Sequence, residues 1–186
     1  MLLNETIDLL SIKPDGVYVD CTLGGGGHSL AIMKAGGRVI ATDLDKDAIA
    51  YAGSRFEREG MGGRYTLVRD NFKNFTEIVD RLGIGAIDGA ILDLGVSSRQ
   101  LDDGARGFSY RYDSELDMRM DDRAALTAED IVNDWPAEKL TELLYKYGEE
   151  SFAHRIVSAI ERERGKHRIK TTGELASIIS SACLLY

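Results

Sequence analysis

Val17-Tyr18-Val19-Asp20-Cys21-Thr22-Leu23-Gly24-Gly25-Gly26-Gly27-His28 is the stretch that decides the fold. Val17–Asp20 is a short β-rich run entered from the turn Lys13-Pro14-Asp15-Gly16. The glycines follow it, and then a helical stretch over 29–35 that Gly36-Gly37 ends. Strand, glycine loop and helix in that order are the setting a nucleotide-type loop needs. Glycine lets the backbone pass close to a ligand and adopt positive φ. A dinucleotide fold would want G-x-G-x-x-G. Here Gly24-x-Gly26 runs into Ser29 and Gly25-x-Gly27 into Leu30, so the third glycine is missing and an NAD oxidoreductase is disfavoured.

Outward from this motif, strands and helices alternate. A second apolar run, 38–42, closes on Asp43, and 46–59 reads as a helix with Ala48, Ile49, Ala52 and Phe56 on one face. A third strand at 65–68, a helix at 72–82 and a fourth strand at 86–94 follow. The pattern predicts βαβ units and a parallel α/β sheet, with ligands bound at the carboxyl ends of the strands. Beyond Gly95, residues 96–123 are polar and loop-like. Helices then run from a cap at Thr127 to near Trp135, from Pro136 to near Gly148, and over 149–164, where Gly165 stops the third. A fourth starts at Thr171 or Thr172. Residues 1–100 thus form an α/β domain, and 101–186 a linker loop and a helical domain.

Composition narrows the function classes. No apolar run approaches the ~20 residues of a membrane helix, and the N-terminus lacks the pattern of a secretion signal. Cys21 and Cys183 are far apart without metal-ligand spacing, which reads as reduced thiols in a cytoplasmic protein holding no metal. The net charge of -8 alone argues against nucleic acid. The charge is uneven, however: Arg155, Arg162, Arg164, Lys166, Arg168 and Lys170 form a basic stripe opposed only by Glu161 and Glu163.

Acids stand where the strands end. Asp20, four residues before G-x-G, resembles the first motif of class I methyltransferases, whose cofactor carries an ammonium and a sulfonium that carboxylates favour. Asp43 is spaced to accept ribose hydroxyls, with Asp45 as competitor. Asp70-Asn71-Phe72 follows the third strand where an adenine would lie, and Asp93 ends the fourth beside the expected methyl group. The spacing leaves His28 open between helix cap and ligand contact.

From Asp93-Leu94-Gly95-Val96-Ser97-Ser98-Arg99-Gln100-Leu101-Asp102 through Arg106-Gly107-Phe108-Ser109-Tyr110 to Leu116-Asp117-Met118-Arg119-Met120-Asp121, the chain strongly resembles the RsmH (MraW) family of 16S ribosomal RNA cytosine N4-methyltransferases. Gly26-Gly27-His28-Ser29, Thr127-Ala128-Glu129-Asp130-Ile131-Val132-Asn133 and Tyr147-Gly148-Glu149-Glu150 are similar to the family as well. The resemblance implies a class I (Rossmann-like) fold with a helical substrate-recognition domain inserted after strand four. It implies contacts to S-adenosyl-L-methionine at Gly26, Gly27, His28, Asp43, Phe72, Asp93 and Gln100. It also implies N4-methylcytidine in the decoding region of the small subunit as product, in the bacterial cytoplasm. Met1 replaces the family's short lead, and the last three strands of a seven-stranded sheet have no counterpart. The chain therefore reads as a truncated fragment of doubtful turnover, open to self-association along the fourth strand.

A cytosine amine is a poor nucleophile, so positioning is expected to dominate, with Asp93 as the catalytic residue and the 94–96 carbonyls beside it. Phe108 and Tyr110 are candidates to stack on an extruded base, and the stripe to meet RNA phosphates. The competing readings are a methyltransferase of this fold acting on DNA or protein, and a non-catalytic binder of cofactor or RNA.

Overall fold

The computed structural model describes residues 2–183. Met1 and the apolar ending Leu184-Leu185-Tyr186 lie outside the described residues. The chain divides between Ser97 and Ser98 into two compact units.

The first unit begins with α1 (Leu3–Leu10), an amphipathic helix of eight residues that the reading of the sequence missed. Four strands follow: β1 (Val17–Asp20), β2 (Arg38–Asp43), β3 (Tyr65–Arg69) and β4 (Gly89–Ile91). They pair in parallel in the order β3-β2-β1-β4. The connecting helices are α2 (Gly27–Lys34), α3 (Lys46–Arg58) and α4 (Phe75–Arg81), the last preceded by a 3₁₀ turn at Phe72–Asn74. The period of two along the strands serves both faces. Tyr18, Val39, Ala41 and Ile91 pack with Leu30, Ile32 and Met33 of α2 and with Ala52 and Phe56 of α3. Val19, Cys21 and Ile40 pack with Ile78 of α4. Burial on both faces is why these strands read as apolar runs rather than alternating ones. The chain steps outward from β1 to β3 and then crosses back to lay β4 on the other side of β1. The winding reverses between β1 and β4, which opens the sheet's crevice at their carboxyl ends.

Apart from offsets of one or two residues at other ends, three elements differ from the expected ones. The fourth strand, read over 86–94, pairs only over Gly89–Ile91, because β1 turns away into the glycine loop and leaves nothing on that side to pair with. The helix read over 72–82 is broken into a 3₁₀ turn and α4, and the one read over 149–164 begins at Ala153. There Glu149 adopts a left-handed conformation (φ 49°) and the Glu150 carboxylate accepts the Phe152 N–H at 2.7 Å.

The second unit holds α5 (Ser98–Asp102), a 3₁₀ turn at Gly104–Arg106, α6 (Ala128–Asp134), α7 (Ala137–Gly148), α8 (Ala153–Arg164) and α9 (Thr172–Cys183). Thr127 and Asp130 close a capping box at the start of α6. Leu116, from the long loop, is 1% exposed and joins Val132, Leu140, Ile156, Val157, Ile160 and Ile169 in one core. Its backbone is held on both sides: its N–H donates to the Lys170 carbonyl at 3.0 Å, and its carbonyl accepts the Glu129 N–H at 2.7 Å. The segment 116–121 that carries the family resemblance is therefore also a structural strap.

Four members of the basic stripe have partners within this unit. The Arg168 guanidinium donates to Glu129 at 2.5 Å, Asp134 at 2.9 Å and Asp130 at 3.0 Å. Arg164 caps α6 by donating to the carbonyls of Val132 and Trp135 at 2.9 and 2.8 Å. Lys166 and Arg162 both reach Glu163. These cations thus also serve the fold, while the side chains of Arg162 and Lys166 stay largely exposed.

Carboxylates across this unit are held below their ordinary range. The side chain of Arg119 does so for Asp117, Thr127 for Asp130, Lys166 for Glu163, and the Lys170 backbone N–H for Glu174. A carboxylate depressed in the folded state adds stability that is present above its unfolded pKa and lost as pH falls through the folded value. Trp135, the single tryptophan, is half-buried beside the core of this unit. Its fluorescence is expected to show the thermal midpoint holding from neutral pH to about 5 and declining below about pH 4. A midpoint indifferent to acid would show that these contacts add nothing.

Candidate functional site

At the carboxyl edge of the sheet the β1 carboxylate is the first fixed point. Asp20 is 1% exposed. One oxygen accepts the Ser29 hydroxyl of α2 at 2.7 Å, the other the Thr22 N–H at 3.1 Å. Burial pushes its pKa up, against those two hydrogen bonds. Asp20 therefore binds the glycine loop to the helix behind it and is enclosed.

The loop itself turns on glycine. Gly24 and Gly26 have φ of +48° and +71°, a region that L side chains rarely adopt. At Gly26 a Cβ would stand 2.7 Å from the Phe56 ring and 3.2 Å from Ala52. α3 thus presses directly under the loop and demands glycine for space as well as for φ. Arg55, also on α3, donates from Nη1 to the Gly25 carbonyl at 2.8 Å. Gly27 differs: nothing lies within 4 Å of where its Cβ would be.

Asp43, at the end of β2, reaches into the loop. Its Oδ2 accepts the Gly24 N–H at 2.8 Å and its Oδ1 the Asp45 N–H at 2.9 Å. A carboxylate has about four acceptor sites, so roughly two remain. Asp45 is buried, and its side chain caps α3 by accepting the Asp47 N–H at 3.0 Å. From the other side, the Asp93 N–H donates to the Thr22 hydroxyl at 2.7 Å, while the residue itself is exposed. The glycine loop, Asp43 and Asp93 are thus joined by hydrogen bonds.

The remaining sequence candidates fall as follows. His28 is buried inside the first turn of α2, and the cap position belongs to Gly26. Phe72 begins the 3₁₀ turn after β3 and is 39% exposed. Asp70 accepts the Asn71 N–H and the Asn74 side-chain amide at 2.7 and 2.8 Å. Gln100 lies on α5 in the second unit and is buried. Among the described residues no group of three His, Cys, Asp or Glu is placed to hold a metal ion, and no helix is long and apolar enough to cross a membrane. Sequence reasoning missed Thr22, Ser29 and Arg55. The first two follow acid and glycines at short range and could have been suspected. Arg55 carries no local signal.

Comparison with known proteins adds to this geometry. Residues 1–185 match the model of the MraW methylase family. A ribosomal RNA small subunit methyltransferase H from Symbiobacterium thermophilum is 47% identical over 185 residues, 98% of this chain and 58% of the relative. The chain therefore spans a little over half the length of that protein. Among solved structures, an rRNA methylase from Streptococcus thermophilus has a TM-score of 0.44 at 25% identity, over 51% of this chain and 57% of that one. The C-terminal domain of precorrin-6Y C5,15-methyltransferase from Rhodobacter capsulatus gives 0.43 at 19%, over 54% and 52%.

Two adjacent glycines should separate packing from ligand contact. Gly26→Ala is expected to destabilise the first unit by about 2–4 kcal/mol, through left-handed strain and the clash with Phe56. Gly27→Ala is expected to leave the thermal midpoint unchanged or slightly raised. Denaturation curves giving equal losses at both positions would contradict this geometry.

Proposed function

The chain belongs to the MraW methylase family, and on that premise we propose that it serves S-adenosyl-L-methionine-dependent methylation of the N4 amine of a cytidine in the decoding region of 16S rRNA. The observation that carries the reading is the joining of one glycine loop to Asp43 on one side and Asp93 on the other. It occurs where the winding of the sheet reverses. The cofactor class fits the residues present. Gly27 leaves open space for a ligand, Asp43 keeps acceptor capacity for two ribose hydroxyls, and Phe72 is partly exposed where an adenine is proposed to lie. Gly26 contributes through the bend it allows, and His28 through its position in the first turn of α2. Asp93 and Gln100 complete the proposed set.

When bound, S-adenosylmethionine supplies a methyl group on a positively charged sulfur. The chain's own residues then orient the acceptor. The lone pair of a cytosine amine is delocalised into its ring. Acceptors aimed at the amine protons favour the pyramidal form that can attack. Asp93, with the carbonyls of 94–96, is proposed for that role, so that positioning rather than strong base catalysis lowers the barrier. A cytosine in a stack must first be extruded. Tyr110, 79% exposed, suits stacking on it better than Phe108, which is half-buried beneath the Arg106 guanidinium.

The helical unit is proposed to recognise the small subunit, with the exposed cations of the 155–170 stripe meeting RNA phosphates, and the substrate implies a cytoplasmic setting. Pairing of two copies along β4 accompanies the reading. Among the described residues β4 pairs with β1 alone, and Leu92, Leu94 and Val96 just beyond it are exposed. A monodisperse monomer in light scattering would remove that part.

Titration calorimetry with S-adenosylmethionine is expected to show binding, weakened in Asp43→Ala by roughly 1.5–3 kcal/mol, or about ten- to a hundredfold. Gly27→Ala should stay folded and also bind less tightly. Unchanged affinity in Asp43→Ala would shift the ribose role to Asp45. Turnover by this chain alone is expected to be small, and whatever label passes from the cofactor to small ribosomal subunits should be found as N4-methylcytidine. Label appearing in DNA or protein instead would overturn the substrate assignment.

A further inference from the structure

The parallel ladder between β1 and β4 stops in an unusual way. Asp20 pairs with Ile91, and the Cys21 N–H donates to the Ile91 carbonyl at 2.9 Å. Continued by the same two-residue step, the ladder would hand the Asp93 N–H to the Cys21 carbonyl and the Leu23 N–H to the Asp93 carbonyl. Neither bond forms. The Cys21 carbonyl accepts the Thr42 hydroxyl at 3.2 Å, and the Leu23 N–H donates to the Thr42 carbonyl at 3.1 Å. The Asp93 N–H goes instead to the side chain of Thr22, at 2.7 Å. A hydroxyl has replaced a carbonyl for one rung, at the point where both chains leave the sheet.

We infer that Thr22 is a positioning residue, which holds the backbone of Asp93 against the glycine loop and so sets the distance between the methyl donor's seat and the groups that receive the amine. The inference rests on the reading of the preceding subsection. Three observations carry it. Thr22 is itself fixed, because its N–H is held by the buried Asp20 carboxylate, whose other oxygen anchors Ser29 on α2. The line Ser29–Asp20–Thr22–Asp93 thus runs unbroken from the helix behind the loop to the end of β4. Next, the bond to Thr22 is the one hydrogen bond of residues 92–96 among the described residues. Gly95, at φ +143° with nothing within 4 Å of a Cβ position, stands just beyond it. Finally, Leu92, Asp93, Leu94 and Val96 are all exposed, so packing does not fix this segment in place of the bond. Without the Thr22 hydroxyl, the segment would keep its covalent path but lose its anchor.

Thr22→Val removes the acceptor while keeping the branched shape, and Thr22→Ser keeps the acceptor. Amide exchange of Asp93, followed by NMR on labelled protein, should be about tenfold faster in Thr22→Val than in wild type and near wild type in Thr22→Ser. Methyl transfer to small ribosomal subunits should fall about ten- to a hundredfold in kcat for the valine variant, with affinity for S-adenosylmethionine within about twofold and recovery in the serine variant. Equal Asp93 exchange in valine and wild-type proteins overturns the inference. So does faster exchange with unchanged kcat, and so does a loss of cofactor affinity that matches the loss of kcat. A wild-type chain that neither binds the cofactor nor transfers methyl would sink the preceding reading, and the exchange comparison would then decide this one by itself.

Discussion

A carboxylate enclosed at the end of a central strand is the constraint on which the first unit depends. Asp20 sits almost wholly out of water, where an isolated negative charge would be prohibitive. It persists because a hydroxyl from α2 and a backbone amide from the glycine loop are turned toward it. Satisfying that one group fixes where α2 begins and how the chain leaves β1. The loop's positive-φ glycines, the reach of Asp43 to Gly24 and the grip of Arg55 on Gly25 follow from a loop already placed. The sheet supplies the platform, and the buried acid sets the direction in which the platform opens.

The second unit is organised differently. Its core is drawn from α6 to α9 and from two residues outside the helices, Leu116 of an irregular loop and Ile169 between α8 and α9. The loop is held by backbone bonds to 170–172 and by the Thr172 hydroxyl on the Tyr112 carbonyl at 2.7 Å. Charge does much of the tying. The acids of α6 would repel one another were Arg168 not set among them. In an acidic chain, the cationic segment is largely a counter-charge for its own fold.

The legible part of this architecture was the part written in local periodicity. Alternating strands and helices, the glycine loop, the acids at strand ends and the Thr127 cap all have signals within a few residues of themselves. Misreadings came from interactions with partners distant in sequence. The run 86–94 carries its own breaks at Asp88-Gly89 and Asp93, but its strand ends at Ile91, where β1 departs. Arg164 and Arg168 look like surface cations until Val132, Trp135, Glu129 and Asp134 are found beside them. For the same reason the guanidinium of Arg55 gave no warning. Helix α1 escaped because eight residues carry barely two turns of pattern. His28, undecided by spacing, is excluded as the cap only by seeing that Gly26 takes that position.

The closeness of Phe56 to Gly26 reaches beyond folding stability. The Phe56 ring also meets Tyr65 edge-on, with centroids 5.1 Å apart, so one aromatic body spans the glycine loop, α3 and β3. A larger residue at 26 becomes acceptable only if 56 shrinks, and a smaller residue at 56 leaves Tyr65 without its neighbour. Across lineages these three positions should therefore drift as a correlated set, each exchange opening or closing the path to the next.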